Sequence, residues 1–222
     1  MTKHSLPADI ERTSMEIIAR ELTQRGIELE PCNAAVIRRV IHTTADFDYA
    51  EKLRFTPDAV ERGAAALGRG AHIVTDTNMA KAGISRLSLE RLGGEVHCFM
   101  AEPLIAEKAK KGGTTRAVAA MEYAAEHYPR AVLASGNAPT ALLKIADLIE
   151  SGLRPSLVVG VPVGFVNVIE SKERLFSVCS RYDVPAIVAM GRKGGSTVAA
   201  AVCNALLYTA SDMLDPAERG WH

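Results

Sequence analysis

The chain has 222 residues, with 26 basic and 26 acidic side chains, 48% hydrophobic residues and 23% charged ones, the composition of an ordinary globular protein. This charge balance provides no global field to recruit nucleic acid or an anionic membrane, and 5% aromatic content argues against a stacking platform for single strands. No apolar run reaches the length of a membrane span, and the opening MTKHSLPADIERTS lacks a signal-peptide core, so the expected location is the cytoplasm.

In chain order, the first part, to about Gly70, reads as helix after helix. Residues 7–26 carry Ile10, Ile17, Ile18 and Leu22 on one side and end at a glycine suited to a C-cap. Val36, Ile37, Val40 and Ile41 then recur at helical spacing. The last turn of this second helix and the loop beyond it read Arg38-Arg39-Val40-Ile41-His42-Thr43-Thr44-Ala45-Asp46-Phe47-Asp48. An imidazole here titrates near neutral pH, and the adjacent cations suit an acidic ligand. The competing reading is a solvated helix end whose dipole favours Arg and His. Thr56-Pro57-Asp58 has the form of a helix start, and Gly68 to Gly70 closes that helix.

From residue 71 the rhythm changes. Short apolar runs at 71–75, 95–99, 131–134, 157–161 and 186–190 are mostly separated by helical stretches, notably 103–112, 115–127, 138–151, 171–182 and 196–208. Strands alternating with helices predict a parallel sheet covered on both faces. The expectation is one domain, residues 1–222, with a five-stranded doubly wound sheet and a helical N-terminal portion folded against it.

Ligands of such sheets bind beyond the carboxyl ends of the strands. Asp76-Thr77-Asn78-Met79, Ser135-Gly136-Asn137-Ala138, Pro162 to Asn167 and Gly191-Arg192-Lys193-Gly194-Gly195-Ser196-Thr197 fall there. Gly136 suits a sharp turn and Asn137 a helix cap. The glycines before residue 196 suit a carboxylate or phosphate site strengthened by Arg192 and Lys193, but there is no Walker A frame and no GxGxxG after a strand. A tight turn with solvated cations explains that loop equally well.

The remaining histidines offer less. His72 and His97 lie in predicted strands and read as structural, His127 reads as a helix C-terminal cation, and His4 and His222 are close to the termini. The histidines lack metal-ligand spacing such as HExxH. Cys32, Cys98, Cys179 and Cys203 form no CxxC pair, so reduced thiols and no protein-bound metal are expected. Nor is there a GxSxG elbow. The residues alone thus suggest acid–base chemistry on a small polyanion, without a nucleotide or metal cofactor.

Six ordered motifs extend this reading: Arg39-Val-Ile-His42-Thr-Thr-Ala-Asp46; Thr75-Asp-Thr-Asn-Met79 with Gly83; Gly136-Asn-Ala-Pro-Thr-Ala-Leu142; Gly160-Val-Pro-Val-Gly-Phe-Val166; Glu170-Ser-Lys-Glu173; and Gly191-Arg-Lys-Gly-Gly-Ser196 with Asn204-Ala-Leu206. With them the chain resembles, over essentially its whole length, the precorrin-8X methylmutases, including the cobalt-precorrin-8 methylmutases of cobalamin biosynthesis. The resemblance implies a flavodoxin-like three-layer α/β fold, a homodimer whose sites take residues from both subunits, and an intramolecular isomerase. In that reaction a methyl group migrates between adjacent carbons on ring C of a corrin precursor. The resemblance also implies His42 as the catalytic acid and Ser14, Arg39 and Arg116 as substrate-binding residues. No cofactor is implied, because cobalt, where present, is carried by the tetrapyrrole substrate. The His-Thr-Thr-Ala-Asp-Phe-Asp form resembles the cobalt-dependent branch more closely than the metal-free one. Two other classes are a tetrapyrrole-binding carrier without chemistry and an α/β phosphate- or nucleotide-binding protein built around residues 191–197.

Overall fold

The structure, a computed structural model, describes residues 6–219; His4 and His222 lie outside the described residues. Three helices come first: α1 (Pro7–Gln24), α2 (Pro31–Thr44) and α3 (Tyr49–Lys52). They are followed by β1 (Leu53–Phe55), α4 (Ala59–Gly68), β2 (Ile73–Thr75), α5 (Asn78–Gly83), α6 (Arg86–Arg91), β3 (Val96–His97), α7 (Pro103–Lys111) and α8 (Arg116–His127). The chain continues through β4 (Val132–Ser135), α9 (Pro139–Glu150), β5 (Leu157–Gly160), α10 (Val168–Arg181), β6 (Ala186–Ala189) and α11 (Ser196–Ala210), and ends in a 3₁₀ turn, Pro216–Arg219.

The strands form one six-stranded mixed sheet in the order β1-β6-β5-β4-β2-β3. Each of the five expected runs coincides with or overlaps one of the five mutually parallel strands, with Ile73 opposite Val132 and Val132 opposite Leu157. The expectation of five strands is corrected by β1, which pairs antiparallel with β6, Leu53 opposite Ala189 and Phe55 opposite Ile187. Three residues are too few to display a period of two, so Leu53-Arg54-Phe55 was hidden in a stretch read as helical. Thr56 is the other reason. Its N–H donates to the Ala186 carbonyl at 3.0 Å, and its Oγ1 accepts from Ala186 N–H at 2.8 Å. The hydroxyl therefore seals β1 onto β6 and does not cap a helix; α4 begins only at Ala59, after Asp58 at φ 55°.

The sheet buries side chains on both faces. Ile73, Val132, Leu157 and Ile187 pack with α4, α11 and α2, while Val74, Leu133, Val158 and Val188 pack with α8, α9 and α10. α11 lies between the sheet and α2, and its apolar character all round is that of a helix buried on both sides. α2 contributes Val36, Ile37, Val40 and Ile41, all buried. Burying each contributes about 1.5–3 kcal/mol, which outweighs the loss of up to about 0.7 kcal/mol per β-branched residue in a helix. α1 rests on α2 and on the 3₁₀ turn. Its expected apolar side is split: Ile18 and Leu22 are buried, whereas Ile10 and Ile17 are exposed.

Two glycines fix how the carboxyl-end loops meet α11. The chain bends at Gly136 as expected, and a Cβ there would come within 2.8 Å of the Ser196 Cα, so this glycine also serves close backbone approach. Gly194 sits at φ +159°, and a Cβ there would overlap the Val161 and Pro162 carbonyl oxygens. Gly194→Ala is expected to lower the unfolding free energy by at least about 2 kcal/mol, read from urea denaturation midpoints; an unchanged midpoint would contradict this packing.

Candidate active site

His42 occupies the last turn of α2, which closes at Ala45 in the left-handed conformation, φ 54°. The chain beyond is tied to the carboxyl end of β6. Lys193 Nζ reaches Asp46 Oδ2 at 2.6 Å and Asp48 Oδ2 at 2.7 Å, and the Asp48 N–H turns back onto Asp46 Oδ1 at 3.0 Å. Met190 N–H donates to the Lys52 carbonyl at 2.8 Å. Asp46 and Asp48 thus carry His42 to the strand ends, where parallel sheets bind ligands.

Two of the carboxyl-end loops are occupied from within the chain. Asp76, buried after β2, accepts the backbone N–H groups of Gly136, Asn137 and Ala138 at 2.7–2.9 Å and the Ser135 hydroxyl at 2.8 Å. That nest of donors is satisfied by a resident carboxylate. Asn137 gives its N–H to Asp76, and no side chain caps α9. The loop after β6 turns the carbonyls of Gly191 and Lys193 onto the fully buried Lys172, each at 2.8 Å from Nζ. Burial pushes the Lys172 ammonium down to about 8, and a neutral amine still donates both bonds. Of the two cations expected in that loop, Lys193 binds Asp46 and Asp48, and the Arg192 guanidinium lies 5.5 Å from the Phe165 ring centroid.

His42 is half-buried, and its imidazole makes no hydrogen bond among the described residues. Burial holds its proton affinity below the usual histidine value and the Arg39 charge adds to this; Glu11 opposes them and Arg219 reinforces them. Glu11 is the hub of these charges. Buried on α1, its Oε1 accepts from Arg39 and from Arg219 at 2.6 Å each. Burial alone raises its pKa, but the bonds from Arg219 and Arg39 outweigh that and hold it below the usual carboxylate range. Arg39 and Arg219 also flank the Tyr208 ring, at 5.2 and 4.4 Å from its centroid.

The structure brings three of the four expected site residues into the α1–α2 region. Arg39 and His42 lie one turn apart on α2, and Ser14 lies one turn from Glu11 on α1, its hydroxyl donating to the Ile10 carbonyl at 2.8 Å. Arg116 stands apart, exposed at the start of α8 on the other sheet face. It too is at the carboxyl edge, since Thr115 before it contacts Thr140, just after β4, at 3.2 Å. Glu11 and Arg219 were missed by sequence reasoning because they are 208 residues apart. Lys172 had a signal in the Glu-Ser-Lys-Glu motif but no stated partner.

Arg39 and Thr43 line a groove of about 530 Å³ with Met79, Thr197, Asn204 and Tyr208. Large apolar side chains stand exposed at the strand ends, Met79 after β2 and Val163, Phe165 and Val166 after β5. A larger groove of about 810 Å³ runs beside β3 between Asn78 and Val96 and shares Ala82 with the first. Among the described residues, no helix is long and apolar enough to cross a membrane.

The precorrin-8X methylmutase family profile matches residues 9–209. The chain belongs to the precorrin-8X methylmutase family. It is 45% identical over 206 residues to the cobalt-precorrin-8 methylmutase of Salmonella typhimurium, covering 91% of this chain and 95% of that protein. It is also 39% identical over 198 residues to the precorrin-8X methylmutase of Pseudomonas aeruginosa, covering 89% and 93%. The crystal structure of a precorrin-8x methyl mutase from Thermus thermophilus superposes with a TM-score of 0.83 at 40% identity, over 91% of this chain and 98% of that one. Members of this family are named as methylmutases, so the enzyme class is isomerase.

The charges around His42 give a direct test. In an NMR titration the imidazole midpoint is expected below about 6.5, the unperturbed value. Arg39→Gln should raise it by removing a repelling cation, and Glu11→Gln should lower it further by removing an attracting anion. Shifts of opposite sign would refute this assignment of charges.

Proposed function

We propose that the chain catalyses intramolecular methyl transfer on ring C of a corrin precursor, converting cobalt-precorrin-8 or precorrin-8X to cobyrinate or hydrogenobyrinate. The observation that carries this reading is the full-length similarity to methylmutases together with the position of His42 at the carboxyl edge of the sheet. A suprafacial 1,5-shift is thermally allowed. The methyl–carbon bond breaks as the new one forms on the adjacent carbon, and the electrons stay within the conjugated system. The protein therefore needs to supply a proton and a bent, oriented macrocycle. General acid catalysis contributes about 10²–10⁴-fold, so positioning must provide the remainder.

His42 is the proposed acid. In the free chain burial and Arg39 lower its proton affinity; a substrate bearing several carboxylates raises that affinity on binding and so favours the protonated acid. Arg39, Ser14 and Arg116 are the proposed binding residues, Arg39 from the groove wall and Arg116 from across the edge. The exposed Met79, Phe165 and Val166 suit the face of a macrocycle, while its acetate and propionate arms suit the cations. The reading favours the cobalt-bearing substrate, supported by the His-Thr-Thr-Ala-Asp-Phe-Asp form and by the names of several relatives.

We further read residues 1–222 as one flavodoxin-like domain, because the five parallel strands taken alone run 2-1-3-4-5; the antiparallel β1 is an addition to that pattern. A homodimer fits the exposed Leu6 just before α1 and Ile10 and Ile17 on it, with Ser14 between the two isoleucines in sequence, and the cytoplasm is its proposed location.

His42→Ala is expected to bind the tetrapyrrole with little change and to convert it about 10²–10⁴-fold more slowly, followed by the change in absorption spectrum on incubation with each substrate form. Undiminished turnover would remove His42 from the chemistry. Binding by the unmodified chain with no spectral conversion of either form would favour a carrier. Faster conversion of the metal-free form would reverse the substrate preference.

A further inference from the structure

A second cluster of chemistry-bearing side chains lies on β2 and β3. Parallel pairing sets Val74 opposite His97. Side chains two residues apart project from the same face of a strand, so His72 and Glu95 share the face of Val74 and His97. His97 Nε2 and His72 Nδ1 lie 3.4 Å apart, and His97 Nε2 is 3.7 Å from Glu95 Oε2. One ligand atom from each of the three residues lies within 4.8 Å of the other two. Aromatic rings fix both imidazoles. The Tyr128 ring centroid is 4.6 Å from that of His97 and 5.5 Å from that of His72, and Phe99 stacks on His97 at 5.7 Å.

A hydrogen-bonded histidine pair is the simplest account of these contacts, but 3.4 Å is long for an N–H···N hydrogen bond. The same separation is close to what a shared ion imposes. Two nitrogens at about 2.0–2.1 Å from a tetrahedral centre lie about 3.3–3.4 Å apart. Burial and the neighbouring His72 lower the proton affinity of His97, with Glu95 opposing them and Lys81 reinforcing them. Glu95 is 70% exposed and free to close the remaining few tenths of an ångström. Solvent reaches the cluster from two sides, since His72 lines a groove of about 550 Å³ and Glu95 lines the groove of about 810 Å³.

We propose that His72, Glu95 and His97 form a binding site for a divalent transition-metal ion of the zinc type, with water in the fourth position. Two imidazoles and one carboxylate suit such an ion better than calcium or magnesium, which prefer all-oxygen ligands. The bound ion pins β3, two residues long at the sheet edge, to the interior strand β2. The site makes no use of His42 and does not depend on the methylmutase reading.

The test uses the full chain without an affinity tag, freed of metal by a chelator. Calorimetric titration with Zn²⁺ is expected to show one equivalent bound per chain, and the melting temperature should rise with Zn²⁺ by mass action. Co²⁺ in its place should give the intense visible absorption of a four-coordinate ion, which Zn²⁺ then abolishes. Glu95→Ala and His72→Asn should each weaken Zn²⁺ binding by at least about tenfold. The exposure of Glu95 keeps Glu95→Ala folded, as circular dichroism would verify, so that variant decides the matter if His72→Asn fails to fold. Absence of saturable binding to the unmodified chain, or undiminished binding by either folded variant, overturns the site and leaves a histidine pair held only by packing.

Discussion

The candidate site depends on one carboxylate oxygen. Glu11 Oε1 accepts two guanidinium groups, from Arg39 on α2 and from Arg219 in the last described turn, at 2.6 Å each. With Glu11 4% exposed and the side chains of Arg219 and Arg39 5% and 12% exposed, these bonds are made largely out of water. Breaking such a buried pair from one side costs about 3–5 kcal/mol, because the partner charge is left uncompensated. Three segments far apart in the chain are thereby locked together. α1 is held to α2, the C-terminal turn is held to both, and the two cations are kept against Tyr208. The charge left over, two cations to one anion, is what the imidazole of His42 senses.

The carboxyl edge of the sheet explains why this member of a common architecture does not read as a nucleotide binder. In parallel sheets the crevice lies where the strand order reverses, here between β2 and β4. Asp76 fills that crevice and consumes three backbone N–H groups and a hydroxyl. At the β6 loop the inward carbonyls bind Lys172, presenting a resident cation where a phosphate site needs open donors. What remains open is an apolar rim with arginines around it, which fits a large flat polycarboxylate better than a compact phosphate.

Much of this was legible in the sequence, and the gaps have physical causes. The five parallel strands are short apolar runs that β-branched residues mark clearly, and α2 was visible from Val36, Ile37, Val40 and Ile41. β1 was not, because three residues carry no period and its pairing depends on Thr56 meeting Ala186, 130 residues away. Ile10 and Ile17 matched the apolar period of α1, yet helical phase cannot tell which part of a stripe a neighbour covers. His42 stood out because arginines share its segment. Its governing partner Glu11 did not, since a lone glutamate in a polar helix is ordinarily solvated. His72 and His97 read as structural, but their meeting was not legible, since parallel pairing joins residues 25 apart.

The central claim is that His42 faces the bound tetrapyrrole and supplies its proton. A crystal structure of the chain with the rearranged corrin bound tests this most directly. The account predicts an imidazole nitrogen of His42 within about 2.6–3.2 Å of a macrocycle atom next to ring C, the reach of a general acid, with Arg39 on a peripheral carboxylate. A macrocycle seated in the groove beside β3, or one whose ring C lies beyond direct or single-water reach of His42, would contradict it.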